Sequence, residues 1–281
     1  MSITLENVSF TYAKKTSFAK HGLNGINLNI SDGEWLAVMG STGSGKSTLL
    51  MHLNGLLRPD AGRVLLDGTD IHSTPRTLKE ARQKVGFVFQ YPEHQIFGNT
   101  VFEEASYGPE NYGYPSDETE KRVKLALGTV GLDYNKYKDR SPHQLSGGEK
   151  RRVALAGVLA SGPRIIALDE PTAGMDAIGR KMLIDTITRL NRDMGITVIW
   201  VTHEISEIAT LADTLLILDR GRVAGHGPLR EILADKLIEG LDLDIPLAVK
   251  IANCFRERGK VIEGHPVTLE EIEREIIRLV I

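Results

Sequence analysis

Eight consecutive residues, Gly40-Ser41-Thr42-Gly43-Ser44-Gly45-Lys46-Ser47, have the types and spacing needed to cradle phosphate. Glycines let successive backbone N–H groups converge on phosphate oxygens, and a helix starting at the end of the loop adds a favourable dipole. In such a loop Lys46 reaches the β- and γ-phosphates and the Ser47 hydroxyl can ligate Mg2+. The plain alternative, a glycine turn that happens to precede a lysine, is weakened by its flanks. Trp35-Leu36-Ala37-Val38-Met39 reads as a strand buried on both faces. Leu49, Leu50, Leu53, Leu56 and Leu57 then recur at helical spacing until Arg58-Pro59-Asp60-Ala61-Gly62 breaks the pattern.

Far downstream, Leu145-Ser146-Gly147-Gly148-Glu149 is a second glycine turn able to grip phosphate, yet the chain carries one loop of the first kind. Two unlike grips and one full nucleotide pocket imply an active site completed by another copy or a relative.

Further candidates fall at the ends of apolar runs. Ile165-Ile166-Ala167-Leu168 delivers Asp169 to the C-terminal end of a buried strand, where ligands of parallel sheets collect, placing it to share a metal shell with Ser47. Glu170 is then placed to accept a proton from attacking water; read in isolation, the two acids could simply end a strand. Among eight histidines, His203 alone follows a core strand, 196–201, and is the candidate for contacting the γ-phosphate and ordering water. Gln90 follows the strand 85–89, where an amide can touch metal and water without competing for the proton. Tyr12 offers a face for stacking adenine, with an ordinary exposed strand aromatic as its rival.

The elements that must position these residues read as an α/β core with a mostly parallel sheet. The first thirty residues alternate like strands exposed on one face, and buried strands follow at 85–89, 165–168, 196–201 and 215–218. Helices are expected over 118–130, 177–194 and 204–212. Residues about 98–160 look like a helical insertion, within a main domain of 1–227. From 228 to 281 the character changes. One helix is expected to start at 244–247 with Pro246 in its first turn; another opens on the capping box Thr268-Leu269-Glu270-Glu271, with Leu269, Ile272, Ile276, Leu279 and Val280 apolar.

Of 281 residues, 41% are hydrophobic and 25% charged, and the net charge of -3 gives no basic field for nucleic acid. No apolar run approaches the ~20 residues of a membrane-spanning helix, and the start lacks a signal peptide's pattern. The expectation is a soluble chain whose membrane contact goes through a partner. The single cysteine, Cys254, excludes an internal disulfide and reads as a buried small apolar residue.

Taken together, these motifs resemble the ATP-binding subunit of ABC transporters over nearly all of 1–227. Residues 40–47 match the Walker A motif, Ile165–Asp169 the Walker B, 145–149 the signature, Gln90 the Q-loop, His203 the H-loop and Ala173-Gly174-Met175-Asp176 the D-loop. The resemblance implies a P-loop fold with an N-terminal antiparallel β-subdomain. It also implies a head-to-tail dimer in which Tyr12, residues 40–47 and Thr48 bind ATP, while Ser146, Gly147, Gly148, Glu149 and Asp176 reach it from the opposite subunit. Glu149 stands where glutamine is usual, which puts its ribose-side contact in question. Residues 89–97, 52–57 and 146–153 look more closely like the ATPases of energy-coupling factor transporters, which take up vitamins and metals such as cobalt or nickel. The tail 240–281 is similar to their small dimerisation domain. Implied partners are a second ATPase, identical or paralogous, an integral scaffold subunit and a substrate-binding membrane subunit, with the chain peripheral on the cytoplasmic face of the membrane. An ordinary ABC importer or exporter ATPase and a non-transport ABC ATPase are the alternatives; no heptad arm or basic stripe favours the latter. Glu93, Glu103, Glu104 and Glu110 follow Gln90, so a docking groove preferring basic partner residues is expected.

Overall fold

The computed structural model describes residues 1–235, 241 and 243–280; Gly240, Asp242, Ile281 and the Val280 side chain, all part of the expected tail, lie outside the described residues. In chain order the elements are β1 (Ile3–Tyr12), β2 (Lys20–Ile30), β3 (Trp35–Met39), α1 (Lys46–Leu53), β4 (Ala61–Leu66), β5 (Thr69–Asp70), α2 (Pro75–Lys84) and β6 (Val85–Val88). Then come α3 (Val101–Tyr112), α4 (Ser116–Thr129), α5 (Tyr134–Tyr137), α6 (Gly147–Ala160), β7 (Ile165–Asp169), α7 (Ala177–Arg192), β8 (Thr197–Val201), β9 (Thr214–Asp219) and β10 (Arg222–Pro228). The chain closes with α8 (Leu229–Ala234), α9 (Leu247–Glu257) and α10 (Leu269–Val280).

Six strands form the central sheet in the order β10-β9-β3-β8-β7-β6. All neighbours pair in parallel except the antiparallel edge strand β10. The strands β3, β6, β7 and β8 are fully buried and largely apolar because both faces of the sheet are covered there, whereas the edge strand β10 is mostly exposed. Leu36, Val38, Ala167, Ile199 and Leu216 pack toward α1 and the antiparallel sheet β2-β1-β4-β5. Trp35, Ala37, Leu168, Val198 and Trp200 pack toward the inserted helices, with the two indoles 5.9 Å apart. Four parallel strands, β3, β6, β7 and β8, therefore end on one edge, and the loops leaving that edge carry the candidate residues.

Several expectations need correction. The helix expected at 204–212 is a 3-10 turn over Ile205–Glu207 followed by further turns. Its apolar residues Ile205, Ile208 and Ala209 have helical spacing but serve as a plug in the core. Arg180 meanwhile pairs with both Glu204 and Glu207. The helix after the phosphate loop ends at Leu53, because Gly55 takes a left-handed φ of 72°. Pro246 is the N-cap of α9, not part of its first turn. Cys254 is exposed, since α9 turns Ala248, Val249 and Ala252 inward. The Thr268–Glu271 box forms: Glu271 N donates to Thr268 Oγ1 at 3.2 Å and Thr268 N to the Glu271 carboxylate at 3.3 Å. Within α10, Ile272 is buried whereas Leu269 faces outward. This tail rests on the main body through Val249 and Val267, which join the large core cluster, while Ala248, Ala252, Ile262 and Ile272 form a small cluster of their own. Among the described residues no helix is long and apolar enough to cross a membrane.

Candidate nucleotide-binding site

The loop between β3 and α1 is shaped by backbone that side chains would obstruct. Gly40 has φ 152°, and a Cβ there would collide with Leu218 O; Gly45 has φ 110°, and its Cβ would lie 2.5 Å from Gly22 O. Ser44 Oγ is buried and unpartnered beside Gly40, a polar atom in the cradle that suits an oxyanion. Lys46 is buried, with Nζ donating to Gly40 O (2.7 Å) and Ser41 O (3.1 Å). Burial lowers the Lys46 pKa, partly offset by the nearby Glu170 and Asp169 carboxylates. Thr48, the second candidate in the first helical turn, has its hydroxyl 3.1 Å from Tyr12 OH. Tyr12 keeps 38% of its surface exposed and packs edge-on against Phe10 at 4.8 Å.

At the ends of β6, β7 and β8 the acidic chemistry assembles. Asp169 is buried and within hydrogen-bond reach of Ser47; burial raises its pKa, and Ser47, Lys46 and His203 act against that rise. Glu170 follows in a left-handed conformation, φ 47°, unusual for a side-chain-bearing residue and a mark of a functional turn. Its carboxylate receives Gln90 Nε2 on Oε2 at 3.0 Å and lies 2.5 Å from His203 Nε2 through Oε1. Three strand ends thus converge on one carboxylate, beside the lysine, serine and aspartate of the phosphate loop. Ser47, Gln90 and Asp169 offer hydroxyl, amide and carboxylate oxygens, the hard donors that Mg2+ accepts when phosphate supplies the rest.

The second grip lies elsewhere. Ser146 caps α6, and Gly147 and Gly148 are exposed with open space where a Cβ would stand. Asp176 caps α7, accepting from Gly179 N at 2.7 Å. The signature turn and the D-loop line a shared cavity of about 500 Å3 that also includes Glu93, Arg151, Ile178 and Met182. Neither Ser146 nor Asp176 is hydrogen-bonded to the residues around Glu170.

Sequence reasoning missed Arg151. Its guanidinium holds both oxygens of Glu93 (3.0 and 2.6 Å) and donates to Ala173 O at 2.8 Å, tying together α6, the segment after Gln90 and the D-loop. Of the four acids expected to line a docking groove, Glu103 and Glu110 are exposed and Glu104 lines a groove, but three of the four also have partners within the chain. Glu93 is taken by Arg151, Glu104 accepts from Phe97 N and Gly98 N, and Glu103 accepts from Asn99 N. The groove of about 780 Å3 beside them is lined largely by apolar residues, Leu56, Phe89, Phe97 and Tyr107 included, with Lys79 and Arg82.

A family model described as ABC transporter matches residues 23–173. The chain belongs to the ABC transporter family. It is 48% identical over 272 residues to the energy-coupling factor transporter ATP-binding protein EcfA2 of Symbiobacterium thermophilum, covering 96% of this chain and 94% of that protein. To the EcfA2 of Clostridium perfringens it is 41% identical over 281 residues, covering 100% and 99%. Among solved structures it is similar to cbiO1 of Clostridium perfringens, part of the ABC transporter complex cbiONQ, with TM-score 0.74, 35% identity and coverage of 92% and 96%. The dimeric bacterial cassette MJ0796 superimposes with TM-score 0.71 at 33% identity, covering 81% of this chain and 98% of that one. The chain is thus an ABC ATPase of the energy-coupling factor type, an ATP-hydrolysing transporter subunit with the P-loop α/β fold.

Proposed function

We propose that this ATPase powers uptake of a vitamin or transition-metal ion through membrane partners, by ATP-dependent closure and opening against a second ATPase subunit. The observation that carries this reading is the convergence of Gln90 and His203 on Glu170, beside Lys46, Ser47 and Asp169, while the signature serine Ser146 is hydrogen-bonded to Glu149 and not to that cluster. A site so divided closes only when another subunit brings its own signature.

In this reading Tyr12 stacks the base, residues 40–48 bind the phosphates, and Lys46 exchanges its carbonyl partners for phosphate oxygens. Ser47, Asp169 and Gln90 would hold Mg2+, which when bound would supply positive charge to neutralise the phosphates. Glu170 takes the proton of the attacking water, and His203 holds both that carboxylate and the γ-phosphate. Ser146, Gly147, Gly148, Glu149 and Asp176 act on nucleotide bound by the opposite subunit. Phosphate loss removes the bridge and the pair reopens.

The partners are a second ATPase, identical or paralogous, an integral scaffold and a substrate-binding membrane subunit, which places the chain on the cytoplasmic face of the membrane. Residues 228–281 act as a dimerisation domain appended to 1–227. The apolar groove beside Gln90 is where we place the scaffold. A non-hydrolysable ATP analogue with Mg2+ is expected to drive association of the cassettes, measured by sedimentation. Cassettes that stay apart, alone and with the co-purifying ATPase, would refute the reading.

A further inference from the structure

Ser146 does more than cap a helix, because the residue that closes its capping box is charged. Glu149 Oε2 accepts both from Ser146 N (2.9 Å) and from Ser146 Oγ (2.8 Å), while Glu149 N donates to Ser146 Oγ at 3.3 Å. The other carboxylate oxygen, Oε1, accepts from Tyr137 OH at 2.7 Å. Tyr137 belongs to α5, in the inserted helices, so the signature carboxylate is anchored from a different element. Those donors, with the positive field of Arg140, hold the Glu149 pKa down to about 2, led by the Tyr137 hydrogen bond.

A serine hydroxyl has one proton to give. Here it is given to a carboxylate, an acceptor stronger than a neutral amide oxygen. For Ser146 to donate to a γ-phosphate, that bond must be surrendered, and the anion that held it remains next to the incoming one. We propose that Glu149 is a charge latch on the signature turn: positioned by Tyr137, it retains the Ser146 proton and opposes the γ-phosphate. The site closed by this signature then needs more ATP than one with a neutral residue at 149. This rests on the reading that Ser146 meets nucleotide held by the opposite subunit.

Glutamine at 149 separates charge from shape, since its oxygen can accept from Ser146 and its amide can face Tyr137 OH. The test uses the full chain carrying Glu170→Gln, alone and with the ATPase subunit that co-purifies, titrated with Mg-ATP while closure is followed by sedimentation. Adding Glu149→Gln is expected to lower the ATP midpoint about tenfold at low salt. That gain should shrink as salt rises from about 0.05 to 0.5 M, because screening already removes the repulsion. Tyr137→Phe removes the hydroxyl that positions the carboxylate on Ser146, so it should lower the midpoint when residue 149 is glutamate and change it far less when it is glutamine. Closure with an unchanged midpoint, or a gain indifferent to salt, overturns the latch and leaves the composite site standing. No closure in any variant removes the composite site and the latch with it.

Discussion

Arg151→Met is the substitution whose consequences the structure specifies most fully. The two side chains of its ion pair are 10% and 16% exposed, and the guanidinium meets both oxygens of Glu93. Burial pushes the Glu93 pKa up, but the hydrogen bonds and charge of Arg151 more than offset it and leave it below the ordinary range. Methionine keeps the bulk and removes the charge, leaving a largely buried carboxylate without its partner. Breaking a fully buried pair costs about 3–5 kcal/mol; with water still reaching these edges, about 2–3 kcal/mol is expected. For a chain of this size that is a fall in Tm of about 5 °C at neutral pH. The pH dependence fixes the sign. In the parent, a depressed carboxylate contributes stability above its unfolded pKa and loses it on acidification. In the variant burial prevails, the Glu93 pKa rises, and protonation relieves the penalty. The Tm gap should therefore close as pH falls below the ordinary glutamate range. Glu93→Gln should rescue part of the loss in the double variant, because no buried charge remains. A gap under about 1 °C at neutral pH, or one that widens with acid, would show that Arg151 does not compensate a buried Glu93 charge.

Other outcomes follow from the same geometry. Glu170→Gln should retain ATP binding and slow hydrolysis by about 10²–10⁴-fold in single-turnover assays, the usual worth of a general base; near-normal turnover would assign the base elsewhere. Tyr12→Ala should weaken ATP binding about tenfold or more in calorimetry while Tyr12→Phe does not, since the ring face and not the hydroxyl holds the base; equal losses would point to the Thr48 contact instead. Arg230 grips both oxygens of Glu271 at 2.9 Å, which holds the Glu271 pKa at about 2. A depressed carboxylate stabilises at neutral pH and ceases to as pH falls from about 4.5 toward about 2. Because the arginine is partly exposed, Arg230→Met should cost about 1 kcal/mol, detected as faster proteolysis of the tail at pH 7 than in the parent, with the difference vanishing in acid.

What could be read from the chain was whatever depends on local spacing. The phosphate loop announces itself because glycines, lysine and serine act on one ligand within eight residues. Asp169 and Glu170 were legible because an apolar run fixes where a buried strand stops. Strands β4, β5 and β10 and helix α2 were not foreseen. The first is half exposed, the third mostly exposed, and in α2 Ala81 alone is buried, so none shows the apolar run used to find the core strands. Residues 204–212 misled for the opposite reason: apolar spacing of three and four serves a helix and a tight plug equally. Arg151 and Tyr137 stayed invisible because their roles depend on partners 58 and 12 residues away, a relation that no window on the sequence contains.

The contacts of Arg151 also close a circuit. Gln90 touches Glu170; Glu93, three residues on, holds Arg151; Arg151 holds Ala173 O, and Ala173 N donates back to Glu170 O at 3.1 Å. Every link but one is a hydrogen bond or an ion pair, the exception being the three residues of chain from Gln90 to Glu93, so a displacement of Gln90 that this short segment transmits has nowhere else to go. It must move α6, which carries the signature at its start, or break a bond. Packed elements respond to small shifts by switching between arrangements because their interiors deform little. Energetic coupling is the physical warrant for such a route, and a double-mutant cycle measures it. Gln90→Ala and Arg151→Met should be non-additive in the ATP concentration needed for closure. Additive effects would mean that the γ-phosphate is reported to the signature helix by some path other than this ring.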